Sequence, residues 1–347
     1  MNSLQDFIAD FLAIFWEAMP FLVIGALISG ILEEMVPQQV MARFIPRKPI
    51  LAILLGGLLG LIFPMCDCGI VPIMRRLLRK GVPLSCCTSY MLAGPIVNVV
   101  VILSTIIAFT PHWQNGGYAI IGLRIILGYL VACGTSIVVH QLHKKYGNEL
   151  LTPLARPEPP KPETKTLAMV NEESNPENGK PERKPIMQRL GNISETALHD
   201  FIDITVFLTL GAAVSAFARQ FISQDKIAEL SSNYPPLAIL AMMGLAMLIC
   251  LCSEADAFVA ATFTTLHPSA KIAFLVLGPM LDFKLFMMFT RVFRARLIRT
   301  IVLCLIVQVF VYSMAVHYFW PQIQKVEQPI VNLFHPGGTA GTGSSGK

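Results

Sequence analysis

Apolar residues in this chain come in long blocks, at roughly 11–36, 50–66, 83–109, 118–142, 200–222, 235–252, 256–266, 271–290 and 298–320. A run of about 20 apolar residues crosses a bilayer as a helix, and a shorter one is buried or re-entrant. The pattern therefore predicts an all-α polytopic membrane protein. It stops between 143 and 196, where RPEPPKPETK and NEESNPENGKPERK carry almost no apolar residues. Such a segment buries too little apolar area to offset its ordering entropy, and it reads as a disordered cytoplasmic linker. Polarity rises again after Trp320, and residues 321–347, ending in GGTAGTGSSGK, read as a flexible tail.

The two apolar regions, 1–142 and 197–320, read as repeats of each other. A shift of 184 residues carries Cys66 onto Cys250, Cys68 onto Cys252, Gly94 and Pro95 onto Gly278 and Pro279, and Asn98 onto Asp282. FLVIGALIS at Phe21 also matches FLTLGAAVS at Phe207. Charge sets their orientation. Arg75, Arg76, Arg79 and Lys80 follow the second block and Arg43, Arg47 and Lys48 precede it. Both clusters lie inside only if that block enters, breaks near Cys66 and returns, a course allowed at membrane depth when protein or a water-filled cavity covers the tip. Each half then has three spanning helices and one broken or re-entrant hairpin, and the odd count inverts the second half. The second-half loops follow suit. Residues 225–229 and 267–271, expected outside, are poor in positive charge, while Arg291, Arg294, Arg296 and Arg299 are expected inside. Eight conventional spans in parallel repeats is the alternative.

Composition agrees. Charged residues make up 14% of the chain, hydrophobic ones 54%, and the mean hydropathy is +0.60. This excludes an ordinary soluble enzyme, a disordered regulator and a nucleic-acid binder. The net charge of +5 follows from basic residues crowding cytoplasmic loops. The first ten residues hold Asp6 and Asp10 but no Lys or Arg, so the first block reads as a spanning helix and not a cleavable signal. Eight cysteines sit mostly in or beside apolar segments, which suits thiols or metal ligands better than disulfides.

Chemistry concentrates where the apolar blocks are interrupted. Pro64-Met65-Cys66-Asp67-Cys68-Gly69 is bracketed by helix breakers, Pro64 and Gly69. On an extended backbone Cys66 and Cys68 point the same way, so an unwound C-D-C would offer two thiolates and a carboxylate to a soft cation. Cys66 and Cys68 are the candidate metal ligands. Its counterpart holds Cys250, Cys252, Glu254 and Asp256. Ionisable groups in an apolar setting are costly and mark functional sites. Gly94 and Pro95, and again Gly278 and Pro279, break long apolar blocks just before Asn98 and Asp282, where freed carbonyls and polar side chains could line a site. Lys284 could neutralise Asp282. The bland readings are buried small cysteines, caps, kinks and groups facing water. No phosphate loop, hydrolase triad, zinc-protease motif or cofactor motif is present, so neither an enzyme nor a bound cofactor is expected.

PMCDCGIVPIMRRLLRKGVPLS, LAGPIVNVVVILST, CSEADAFVA and LVLGPMLDFKL resemble a bacterial family of predicted permeases that includes the ArsP organoarsenical efflux permeases. The resemblance runs from about residue 10 to 320, without the linker and tail. It implies a multi-pass permease of the bacterial plasma (inner) membrane, with some relatives linked to organoarsenical or divalent-metal handling. The expected function is gradient-driven export of a small thiophilic metal, metalloid or related solute at the repeat interface. The expected partners are the lipid bilayer, a small ion or solute, and a possible soluble or membrane partner, with no nucleic acid. Alternatives are a membrane thiol-redox protein and a non-transporting anchor for a partner.

Overall fold

The structure is a computed structural model and describes residues 3–35, 46, 48–62, 65–111, 116–156, 186–219, 235–264 and 266–334. These residues are almost entirely helical. In the first half lie α1 (Ser3–Met35), α2 (Pro49–Ile62), α3 (Asp67–Arg79), α4 (Leu84–Ala93), α5 (Val99–Phe109) and α6 (Gly117–Tyr146). Two short 3-10 turns, Gly147–Leu150 and Pro153–Ala155, follow. In the second half lie α7 (Ile186–Arg219), α8 (Pro235–Ile249), α9 (Ala255–Thr262), α10 (Pro268–Leu277), α11 (Phe283–Val292) and α12 (Ala295–Phe334).

Local sequence explains the punctuation. α3 opens on Asp67 and closes on Arg76 and Arg79, each charge at the end of the helix dipole that favours it. It stops in a glycine motif: Gly81 has φ +86°, its N–H donates to the Leu78 carbonyl, and the Val82 N–H reaches back to Leu77. Asn98 caps α5 by accepting the Val100 N–H at 2.9 Å. Asp282 caps α11 by accepting the Leu285 N–H at 2.6 Å. Pro268 occupies the first turn of α10, where its missing N–H costs nothing.

Three helical stretches, Phe7–Ile31, Gly117–Leu150 and Ala295–Glu327, are long and apolar enough to cross a membrane. Their outer faces stay apolar: Trp16 is 81% exposed and Leu303 64%. Ile50 on α2 and Val99 on α5 are exposed as well. In water such a surface would be a liability, whereas in a bilayer it is the solvated face. The short helices α4 and α10 fill the centre and are buried along nearly their whole length.

Helix packing brings the halves together. α1 lies along α7, α6 along α12, α5 against α9, and α3 against α11. Within the halves α2 packs on α4 and α6, and α8 on α10 and α12. Close approaches use glycine. A side chain on Gly25 of α1 would sit 2.8 Å from the Gly69 backbone in α3, and one on Gly211 of α7 would sit 2.8 Å from the Lys284 backbone in α11.

Three boundaries differ from the sequence reading. Gly69 is not a helix break. It lies in the first turn of α3, against Gly25 of α1, and the interruption ends at Cys66. Order also reaches into the expected linker, since α6 runs to Tyr146, the turns to Ala155, and α7 starts at Ile186. The Leu151–Phe293 bridge ties that stretch to the α11–α12 junction. The linker residues 157–185 lie outside the described residues. Finally, α12 continues into the expected tail as far as Phe334, and Glu327 Oε1 accepts the Ala119 N–H at 3.0 Å, satisfying a donor at the start of α6. Residues 335–347 are not among those described.

Candidate functional site

Two non-helical stretches, 65–66 and 250–254, set up the site. Cys66 is extended (φ −72°, ψ 170°) and precedes the first turn of α3, so the unwinding ends at Cys66, and Asp67 and Cys68 are helical. α8 ends at Ile249, and Cys250 takes φ +51°, a left-handed conformation uncommon for a residue with a side chain. Its Sγ lies 3.5 Å from the Met247 carbonyl. The turn through Ser253 and Glu254 then leads into α9.

These segments bring Cys66, Asp67 and Cys252 together, with one ligand atom of each within 4.8 Å of the others and all three residues buried. Cys66 and Cys252 are not disulfide-bonded. The Cys252 thiol lies 2.9 Å from Glu254 Oε2. Asp67 is 2.8 Å from Lys284 Nζ, and Lys284 is 3.4 Å from Asp282, all three residues buried to within 2% of full. The lysine is therefore shared between a carboxylate of the first half and its own neighbour, with the shorter contact across the halves. Two thiols and a carboxylate form a donor set suited to a soft cation. The side chain of Cys68, and Pro64 as a whole, lie outside the described residues.

Asp256 sits in the first turn of α9, 2% exposed. Its Oδ2 has no hydrogen-bond partner among the described residues, and the same is true of Ser253 Oγ. The charges of Arg124, Asp67, Asp282 and Lys284 all act on it. A side chain on Gly278 would meet Asp256 Oδ2 at 2.8 Å, which accounts for glycine at that break. Asn98, also buried, serves as the α5 cap, and its amide oxygen is committed to Val100. Gly94 and Gly278 end α4 and α10, with Pro95 and Pro279 in the turns that follow.

Arg124, in the N-terminal third of α6, is a functional candidate that the sequence analysis lacks. It is 1% exposed. Nη1 donates to Thr105 Oγ1 at 2.6 Å and Nη2 to the Ser253 carbonyl at 2.9 Å, which ties α5 and α6 to the second-half interruption. Nε has no partner among the described residues. Asp256 and Glu254 act on Arg124 electrostatically, yet neither forms an ion pair with it. A charge within the apolar run that precedes the basic last turn of α6 is the signal that points to it.

The "Predicted permease" family model, ArsP_1, matches residues 3–318. The chain belongs to that family. UPF0718 protein YcgR of Bacillus subtilis (strain 168) is 33% identical over 311 residues, covering 88% of this chain and 95% of the relative. A protein of Streptococcus mutans serotype c named "Putative two-component membrane permease complex subunit" is 30% identical over 304 residues, covering 86% and 90%. No solved structure matches. With its apolar helices, this permease-family chain is a multi-pass bacterial membrane protein in contact with the lipid bilayer.

Proposed function

We propose that this permease is a gradient-driven transporter, and not an enzyme, that exports a small thiophilic metal, metalloid or related solute through a site between two inverted repeats. The observation that carries the reading is the buried meeting of Cys66, Asp67 and Cys252, donated by both halves of the chain. Charge supports it. Around those thiols stand four carboxylates, Asp67, Glu254, Asp256 and Asp282, against two cations, Lys284 and Arg124. Burying unmatched charge is expensive, so a divalent cation or protons would complete the set. In this reading Lys284 is the internal counter-ion that an incoming cation displaces from Asp67.

The repeat reading has its own support. α4 and α10 start at Leu84 and Pro268, and α5 and α11 at Val99 and Phe283, each pair 184 residues apart. The contacts α5 with α9 and α11 with α3 are equivalent under an exchange of halves, and sites at such an interface suit alternating access. Export is the direction that the family resemblance implies. The Streptococcus mutans relative's name supports a second membrane subunit as partner.

The test is flux in proteoliposomes with zinc, copper(I), cadmium, arsenite and methylated arsenicals, using wild type, Cys66→Ser and Cys252→Ser. Flux of one soft solute, lost in both variants, is expected. Persisting flux would remove the thiols from the site. The closeness of Cys66 and Cys252 favours one other reading, a thiol relay cycling to a disulfide. That reading requires loss of two titratable thiols on oxidation and no flux of any solute.

A further inference from the structure

A cavity of about 620 Å³ opens where the end of α6 and the turns after it meet the α11–α12 junction. One wall carries Tyr146 and Glu149, the other Arg294, Arg296 and Arg299. Leu150, Phe293 and Ile298 supply buried apolar surface beneath them. The walls are pinned together: the Thr152 N–H donates to the Val292 carbonyl at 3.0 Å and the Arg294 N–H to the Leu150 carbonyl at 2.9 Å. The cavity is a built feature of the fold and not a gap between loose segments.

Its electrostatics are one-sided. None of the three arginines forms an ion pair among the described residues. Arg296 lies instead over the Tyr146 ring, 4.6 Å from its centroid. The first turn of α12 holds no acidic residue. A helix N-terminus already carries positive partial charge, and three guanidinium groups add to it where carboxylates would offset it. Glu149 is the single acidic residue in the lining. Topology alone asks for positive charge on this side of the membrane, but it does not ask for arginines gathered around one pocket with an apolar floor.

We propose that this cavity binds a phosphate group, carried by an acidic phospholipid headgroup or by a soluble phosphate. Arginine forks match phosphate oxygens, and basic pockets between helices at a membrane face hold acidic headgroups. The apolar floor accepts the carbon skeleton next to the phosphate. Occupancy would brace the α11–α12 junction, and α11 begins with the Asp282 and Lys284 that meet Asp67, so the ligand would act on the central site through one helix. The proposal does not depend on which solute is carried.

Thermal melting of the purified full-length protein tests it. The comparison is between nanodiscs of phosphatidylglycerol and of phosphatidylcholine, and between delipidated protein with and without inorganic phosphate at constant ionic strength. A melting temperature several degrees higher with phosphatidylglycerol and unmoved by inorganic phosphate identifies the headgroup as ligand. A saturable rise with inorganic phosphate identifies a soluble one. Either rise should vanish in Arg294→Gln/Arg296→Gln/Arg299→Gln. Neither rise, or a rise unchanged in that variant, overturns the proposal. Should the triple variant not fold, Glu149→Gln decides: removing the one acidic wall should lower the half-saturating phosphate or lipid fraction several-fold, and an unchanged value overturns it.

Discussion

The first-half non-helical stretch that ends at Cys66 and the second-half one that starts at Cys250 lie 184 residues apart, yet they are built differently. The first leads into an amphipathic 13-residue helix that begins on Asp67, and this carboxylate is matched by Lys284. The second passes through a left-handed Cys250 into the eight-residue α9 and leaves Asp256 Oδ2 and Ser253 Oγ without partners among the described residues. The 184-residue shift sets Leu251 against Asp67, Pro72 against Asp256, Val100 against Lys284 and Gln308 against Arg124. The helix starts at Leu84 and Val99 have counterparts 184 residues on, at Pro268 and Phe283, and the charges have none. Helix breaks need only proline, glycine and a cap, which either half supplies, while a balanced buried cluster needs each charge once. Polar atoms without a hydrogen-bond partner among the described residues stand in both halves, Tyr90 OH and Arg124 Nε in the first, Ser253 Oγ and Asp256 Oδ2 in the second.

The comparison breaks most severely at Arg124. Arg124→Gln places in the first half the residue type that Gln308 is in the second. It should abolish transport and lower stability by about 3–5 kcal/mol, the usual cost of breaking a buried charge set from one side. Flux in proteoliposomes and melting in detergent read the two effects. Arg124→Gln/Asp256→Asn should regain much of the stability but no flux; a double variant no more stable than the single one would show that the two charges do not balance.

The Lys284–Asp67 ion pair is tested next. Lys284→Met and Asp67→Asn should each cost about 3 kcal/mol in a melting experiment, and their combination less than either alone. Additive losses would mean that the ion pair contributes nothing as a pair. Gly278→Ala should cost about 1–3 kcal/mol, because the new methyl meets Asp256 Oδ2, whereas Gly122→Ala, with nothing within 4 Å, should be neutral or stabilise by up to about 1 kcal/mol. The smallest effect separates the caps. Asn98→Ala should cost about 1 kcal/mol, the value of a lost helix cap, with flux reduced only as far as stability is. Asp282→Asn keeps a cap acceptor but removes a buried carboxylate beside Lys284, and should depress flux beyond its loss of stability. Equal flux losses in the two would erase the distinction drawn between the halves.

Much of the frame was legible along the chain, because bilayer physics writes it locally. Gly94-Pro95 and Gly278-Pro279 sit in apolar runs and lie between α4 and α5 and between α10 and α11 in the structure. Asn98 and Asp282 follow them at the spacing a cap requires. The reading went astray where a residue serves a distant partner. Gly69 resembled a breaker because its close neighbour, Gly25, is far away in sequence. The polar run after Trp320 resembled a tail, yet it contains Glu327, whose partner is Ala119. Arg124 stands in an apolar run, and its partners Thr105 and Ser253 are distant in sequence.

By itself the sequence determined that this chain lives in a membrane as helices and that those helices are interrupted near Cys66, Gly94, Cys250 and Gly278. Hydropathy, proline, glycine and capping act over a few residues, so the order of amino acids is enough to read them. Only the tertiary structure decided the partners. Cys66 meets Cys252, Lys284 turns to Asp67 more closely than to Asp282, and Arg124 reaches Ser253. Those pairings cross from one half of the chain to the other. They are set by how α1 packs on α7, α3 on α11 and α5 on α9, and each buried charge takes whichever partner that packing brings within reach.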